Sequence, residues 1–395
     1  MQSVEEAARA VSQRIKRLAV ERIPLSQARG RVLAADLTAA RQIPGFDNSA
    51  MDGYAARSKD LPGTLPVVAK IGAGQVLHDP VPQGVAIRIM TGAPLPTGLD
   101  TVVIQEDAKI DGHNVTLPAS QIGDNIRRAG EDIAAGELAV AAGTRLGPGE
   151  LGLLAALGLS DINVVRAPRV AILSTGDELV DISIEPGPGQ LVDSSAHTLA
   201  AMIHDAGGIA NNVGIVKDDP ITMATSIASA MDHDVVITTG GVSVGDRDHV
   251  HAALKAAGVE LELWKVAMKP GKPFSFGMHG EVPVFGLPGN PISSFVAFEL
   301  FVRPTLLAMQ GAKVTQRPRA PVLLLTGYRK QAGRTHYVRA RIQRNGEQLV
   351  AHAHPKQGSA MLTSLIGCNA LVEVAADAKE VLPNTMVPAI LLEAV

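Results

Sequence analysis

The 395-residue chain has a single cysteine, Cys368. No intrachain disulfide can form, and no zinc or iron–sulfur site built from several thiolates is available. That scarcity fits a reducing compartment, so a cytoplasmic protein is expected. Aromatic residues make up only 3%, too few for the stacking platforms that hold single-stranded nucleic acid. The net charge is −3 with no polybasic block, so nucleic acid is not an expected partner. Long apolar runs are also missing: the longest, near 151–159, falls well short of the ~20 residues of a membrane helix. Glu5 and Glu6 stand where a secretion signal needs an apolar core, so no membrane or export role is expected.

What is present is a folded composition, 46% hydrophobic and 19% charged. The length exceeds one ordinary core, so several domains are expected. Val4, Ala7, Ala8, Val11, Ile15 and Leu18 share a helical face, and Ser3 with Glu6 predicts a capping box. Leu25 to Leu37 reads as a second helical piece, and an Ala/Leu-rich helix inside 136–165 is expected to pack back on both. Between them, 67–117 reads as short strands with Gly and Pro turns, a small all-β insertion. From Arg166 the pattern alternates, with strands at 169–174, 209–216, 234–239, 259–266 and 282–286 and helices at 194–206, 220–232, 247–257 and 291–310. Crossover helices of this kind imply a doubly wound α/β unit. After Pro318 the chain is all-β, with strands at 322–325, 337–342, 349–353 and 386–392 and Asn345-Gly346 as a hairpin turn.

The fold class expected is therefore multidomain α/β plus all-β. A helical N-terminal domain spans 1–40 and 137–165, with an inserted β domain at 41–136. A doubly wound α/β domain follows at 166–311, and a C-terminal β-barrel or sandwich at 312–395.

Three turns at strand ends draw attention. Val235–Thr239 runs into Gly240-Gly241-Val242-Ser243-Val244-Gly245-Asp246, Val170–Leu173 runs into Ser174-Thr175-Gly176-Asp177-Glu178, and Val282–Phe285 runs into Gly286-Leu287-Pro288-Gly289-Asn290-Pro291-Ile292-Ser293. Loops leaving the carboxyl ends of parallel strands line one crevice. Glycines there let backbone N–H groups approach an anion, and a following helix N-terminus adds positive potential. The glycine loop at 240–245 is neither a Walker A loop nor a GxGxxG fingerprint, so it names no nucleotide by itself, and an ordinary tight turn remains open. Lys265, Lys269 and Lys272 cluster in a proline-braced segment, an arrangement suited to holding several ammonium groups on one anion.

The motifs FDNSAMDGYA (46–55), RIMTGAP (88–94), NIRRAGED (125–132), STGDEL (174–179), TTGGVSVGD (238–246), KPGKP (269–273) and GLPGNPIS (286–293) occur in this order. Across nearly its whole length the chain resembles the MoeA family, bacterial molybdopterin molybdenumtransferases, and the homologous E domains of plant and animal proteins. Asp246-Arg247-Asp248-His249 after the glycine loop and Cys368-Asn369 are minor departures. The resemblance implies a four-part subunit and a homodimer with active sites shared between subunits. It also implies a reaction: molybdate is inserted into adenylylated molybdopterin with magnesium-dependent release of AMP.

By motif position, Asp52, Thr91, Asp132, Glu178, Asp218, Asp248, Lys265 and Lys269 take the family's functional roles. Thr175, Gly176, Asp177, Gly240, Gly241, Ser243, Gly245, Lys272, Pro288, Gly289, Asn290, Pro291 and Ser293 form the binding surface, joined by Arg339 and Ser364 from the C-terminal domain. Glu178 and Asp177 are the implied magnesium ligands. Turn-capping is the alternative reading for Thr91 and Asp132, with the functional one preferred. Lysine, arginine and hydroxyl donors suit a small dianion better than thiolates do, so the missing cysteines are no obstacle. Transient contact with the adenylyltransferase and with molybdoenzyme maturation proteins is a further expectation. Two alternatives stand beside this reading. A molybdopterin adenylyltransferase uses a similar α/β domain, but alone, whereas this chain has three further regions. A non-catalytic scaffold is the other, and no extra linker or fused domain supports it.

Overall fold

The computed structural model describes residues 1–240 and 249–393. The helix Val4–Ser12 forms with its expected capping box: the Ser3 amide donates to Glu6 Oε2 at 2.8 Å and the Glu6 amide to Ser3 Oγ at 3.1 Å. Its apolar face, Val4, Ala7 and Val11, joins the core of the α/β unit beside Phe301, Val302 and Leu306. It does not pack with the helix expected at 136–165. The second N-terminal helix is absent. Leu25–Gln27 is one 3-10 turn after Pro24, Gly30 sits at φ +76°, and Val32–Leu33 and Leu37–Thr38 are strands. The leucine spacing suggested a helix, but a glycine in the left-handed region interrupts it. Val20–Pro24 and Val32–Leu33 instead flank Asp161–Val165 in an antiparallel sheet, covered by the helix Pro148–Ala156.

The insertion is a six-stranded sheet in the order 101–104, 53–56, 86–89, 63–71, 114–117, 109–111, with a small apolar core on each face. Gly53 is required there, because a Cβ would fall 2.1 Å from the Val103 carbonyl oxygen. That close approach fixes Asp52 at the start of an inner strand of the sheet.

The α/β unit has the strand order 209–216, 169–175, 235–239, 282–287, 275–279, 260–264. The first four are parallel. Ser275–His279, unforeseen in the sequence, runs antiparallel to Val282–Leu287 and pairs with Glu260–Trp264. The sheet is thus mixed, its last two strands an antiparallel extension of the wound core. Helices Ser194–Asp205, Pro220–Ser229 and His249–Ala256 form near their expected places. The helix 291–309 is continuous, with a π-helical stretch at Phe298–Val302. Its 19 residues are long and apolar enough to cross a membrane by length and composition, yet 78% of the window is buried within the protein. Buried Glu299 pairs with Arg317 through two 3.0 Å bonds, as befits a core helix.

In the C-terminal unit, 335–345, 348–353, 319–324, 385–391 and 370–374 close into a five-stranded barrel. The two-residue strand Met268–Lys269 of the α/β unit adds to it in parallel at Thr335 and His336. A hairpin forms there one residue later than expected: Asn345 is still paired, opposite Gln348, and Gly346 (φ +59°) and Glu347 make the turn.

Candidate active site

At the carboxyl ends of the parallel strands the backbone is packed so tightly that only glycine fits. Gly240 has φ +90°, and a Cβ there would lie 2.2 Å from the Thr175 carbonyl oxygen. The Gly240 amide donates to Leu287 O at 3.2 Å, and Thr175 Oγ1 donates to Thr239 O at 3.1 Å. A Cβ on Gly289 would stand 3.2 Å from Gly240 Cα. The three turns singled out in the sequence therefore touch one another. Above them opens a cavity of about 660 Å³, lined by Thr175, Gly176, Glu178, Asp218, Thr239, Gly240, Pro288, Gly289, Asn290 and Pro291 among others. It is the crevice expected at the strand ends of an open α/β sheet.

Three carboxylate residues, Glu178, Asp193 and Asp218, and the starts of two helices line the cavity. The Glu178 carboxylate folds back over Gly176, whose missing Cβ would meet Oε2 at 2.7 Å. The Asp218 amide donates to Asp177 Oδ1 at 3.2 Å, while Asp218 Oδ1 is buried with no hydrogen-bond partner among the described residues. Asp177 itself is not on the cavity wall, so Glu178 and Asp218, not Glu178 and Asp177, form the acidic pair facing the cavity. Among the described residues no group of three His, Cys, Asp or Glu is arranged for a metal ion. Asn290 and Pro291 begin the helix 291–309 at the rim, aiming its positive dipole end into the space.

The sequence reading missed Asp193, Ser194 and Ser195, which also line the cavity. Asp193, 6% exposed, caps the helix Ser194–Asp205 by accepting from the Ser195 and Ala196 amides at 3.1 Å. An acidic residue before two serines and an apolar helix was a legible N-cap signal. The barrel supplies another wall through Ala360 and Leu362. Their loop is pinned by the Ile292 amide, which donates to Ser359 O at 3.1 Å. Fully buried Arg339 holds it too, donating from Nε to Ser364 Oγ at 2.7 Å and from Nη2 to the Lys356 and Gly358 carbonyls at 3.0 and 3.1 Å. Arg339 Nη1 has no partner among the described residues. Burial pulls this guanidinium below its ordinary value.

The lysine segment adjoins the cavity through Pro273. Gly271 at φ +106° presses it onto the start of the helix 291–309, where a Cβ would meet Met268 Cε at 2.6 Å and the carbonyl oxygen of buried Ser293 at 3.5 Å. Lys265 holds the left-handed region at φ +74°. None of Lys265, Lys269 or Lys272 forms an ion pair among the described residues.

The remaining candidates lie elsewhere. Asp52 Oδ1 accepts both the amide and the hydroxyl of Thr91 at 2.8 Å. The Thr91 amide, then its hydroxyl, hold this exposed carboxyl below the usual range. The neighbouring motif is braced: Asp47 accepts from the Ala129 amide at 2.8 Å and pairs with Arg128 at 2.6 Å. Asp132 is exposed, its amide donating to Ile43 O at 3.0 Å. None of Asp52, Thr91 and Asp132 lines the cavity of their own subunit. Gly241, Ser243, Gly245 and Asp248 lie outside the described residues.

Three family models match the chain: "MoeA N-terminal region (domain I and II)" at residues 2–158, "Probable molybdopterin binding domain" at 171–308, and "MoeA C-terminal region (domain IV)" at 321–392. The sequence is 36% identical to molybdopterin molybdenumtransferase 2 of Mycobacterium tuberculosis, over 98% of each chain. It is 35% identical to the molybdopterin molybdenumtransferase of Haemophilus influenzae, over 89% of each. The fold matches the crystal structure of the molybdopterin biosynthesis moeA protein from Pyrococcus horikoshii with a TM-score of 0.87 at 31% identity, covering 99% of this chain and 100% of that one.

Proposed function

The chain belongs to the MoeA family of molybdopterin molybdenumtransferases, and from that membership we propose that the strand-end cavity is where adenylylated molybdopterin is bound and cleaved. The enzyme acts in molybdenum cofactor biosynthesis by inserting molybdate into molybdopterin. The observation that carries the assignment of the site is the cavity of about 660 Å³ bounded by glycine turns, the acidic residues Glu178, Asp193 and Asp218, and the helix N-terminus at Pro291. Its volume suits a nucleotide-sized ligand.

Releasing AMP from a phosphoanhydride needs charge neutralisation and an oriented water. Glu178 and Asp218 fit a magnesium ion held by one or two carboxylates with substrate phosphates completing the shell, and the unpartnered Asp218 oxygen supports this. A magnesium ion held there would supply neutralisation of phosphate charge. The residues of the chain do the rest. Gly240 and Gly289 let the phosphates approach the backbone, and the helix beginning at Pro291 favours their negative charge. Glu178 acts at the reacting phosphoryl group, by holding the ion or by orienting the attacking water. Molybdate, a substrate, is taken up at Lys269, Lys272 and Ser293, with Arg339 and Ser364 behind. Asp52, Thr91 and Asp132, which do not line this chain's cavity, act in this reading from the inserted β unit of a partner subunit, in a homodimer with shared sites. Transient docking of the adenylyltransferase and of molybdoenzyme maturation proteins at the cavity belongs to the same proposal.

The test is Glu178→Gln, which keeps size and shape. Affinity for adenylylated pterin should stay within about threefold, while cleavage falls by ~10²-fold or more, since the lost charge acts at the reacting phosphoryl group. Cleavage at the wild-type rate would remove Glu178 from the mechanism.

A further inference from the structure

The barrel and the α/β unit share one backbone seam, where Lys269 lies opposite His336 in a parallel bridge. His336 is 4% exposed. Its Nδ1 lies 3.0 Å from the Tyr328 hydroxyl, and the two rings meet edge-on at 5.8 Å. The charged groups facing it are Lys269 from the short strand, and Lys330 and Arg334 from the segment leading into its own strand. Arg339, three residues along, acts on Tyr328. Across the ladder stands Val374, and the adjacent Glu373 is paired with Arg319 at 3.2 Å. Asp377, farther on, acts on Lys330. His336 thus has cations around it and no carboxylate partner among the described residues. Burial first, and then Lys269, Lys330 and Arg334, push it down to about 4.

We propose that His336 is a member of the oxyanion site at Lys269 and takes up a proton when a tetrahedral dianion binds there. The proposal rests on the assignment of Lys269 given above. Without a bound anion, burial of the ring first, and the three nearby cations second, keep the imidazole neutral. A dianion seated at Lys269 reverses the local field and favours the imidazolium. By linkage the proton then favours the dianion equally. The direction is fixed: a bound anion raises the proton affinity of His336. Anion binding therefore tightens as pH falls through the window between the liganded value and about 4, and is flat well above it. One proton sets a ceiling of about tenfold in affinity per pH unit. The seam would then bind doubly charged oxyanions more tightly than singly charged ones of the same shape, because only the former cancel the surrounding cations.

Sulfate is the probe, since it stays a dianion across the range. Isothermal titration of the full-length protein between about pH 7.5 and 5.5, in buffers of different ionisation heat, reads both affinity and protons taken up. The wild type should bind sulfate several-fold tighter at the acid end, with fractional proton uptake. His336→Gln should still bind, but without pH dependence or uptake. Lys269→Ala should lose most binding at every pH. Equal uptake in wild type and His336→Gln overturns the proposal and leaves the oxyanion site standing. Sulfate binding indifferent to Lys269→Ala overturns the site assignment, and the proposal with it. Should the glutamine variant fail to fold, histidine-labelled wild-type protein answers the question by NMR near pH 6: one buried imidazole should shift to its charged position on adding sulfate. A spectrum in which none responds contradicts the proposal.

Discussion

Gly240→Ala is the sharpest probe of how the site is built. The substitution adds one methyl, but at φ +90° that methyl would stand 2.2 Å from Thr175 O and 2.9 Å from Thr175 Oγ1. Ordinary carbon contacts begin near ~3.5 Å, so a strand end must move by more than an ångström. The left-handed backbone costs an alanine ~1–2 kcal/mol, and overpacking against a buried strand adds ~1–3 kcal/mol. A total of about 2–5 kcal/mol is expected, taken from the place where three phosphate-facing turns meet. Gly289→Ala is the internal control. Among the described residues its methyl would meet Gly240 Cα at 3.2 Å and Gly240 N at 3.7 Å, and its φ is not in the left-handed region, so a loss under ~1.5 kcal/mol is expected. Denaturant unfolding of the two variants, read beside nucleotide affinity, should give this order, with Gly240→Ala losing both stability and binding. A Gly240→Ala protein as stable as wild type and binding pterin nucleotide normally would refute the convergence of the three turns as the basis of the site.

Two further outcomes follow from other parts of the molecule. Asp52 and Thr91 lie away from the cavity of their own chain, so mixing Asp52→Ala with Glu178→Ala subunits should restore part of the activity through one intact shared site; verified heterodimers with none would exclude a site built across subunits. Asp234 accepts from both Arg166 Nη atoms at 2.6 Å and from the Arg169 amide at 2.8 Å; burial pulls its carboxyl upward, but these bonds outweigh it and leave the value lowered. The stability this confers is present above the ordinary carboxylate pKa of ~4 and is lost as pH falls through the lower folded value. Asp234→Asn should therefore cost about 1–2 kcal/mol at neutral pH and progressively less in acid, and a cost independent of pH in thermal melts would contradict the pairing.

Local patterns made much of the fold readable. The β-branched strands Arg169–Thr175 and Val235–Thr239 end in glycine turns, and the capping box at Ser3 and Glu6 marked a helix start. What escaped depends on distant partners. Ser275–His279 has no β-branched residue and carries Gly277, so it becomes a strand only by pairing with Val282–Leu287. Ala370–Val374 is defined by closing the barrel between 335–345 and 385–391. Leu25 to Leu37 had helical spacing that Gly30 overrides. At the site, the glycine turns were visible because steric need leaves only glycine. Asp193 was not picked out, because it reaches the cavity after an excursion through Leu179–Val180 and Leu191–Val192. The replacement of Asp177 by Asp218 on the cavity wall depends on one amide bond between two loops, a contact no spacing rule announces.

The central claim is that the strand-end cavity cleaves adenylylated molybdopterin as part of molybdate insertion. It is tested most directly by AMP released per subunit in a single turnover of the wild-type protein, with and without molybdate and magnesium. The account predicts about one AMP per cavity when both ions are present, and a strong loss when either the ions or the Glu178 charge is removed. A protein that binds the nucleotide fully yet releases no AMP with both ions present would contradict it.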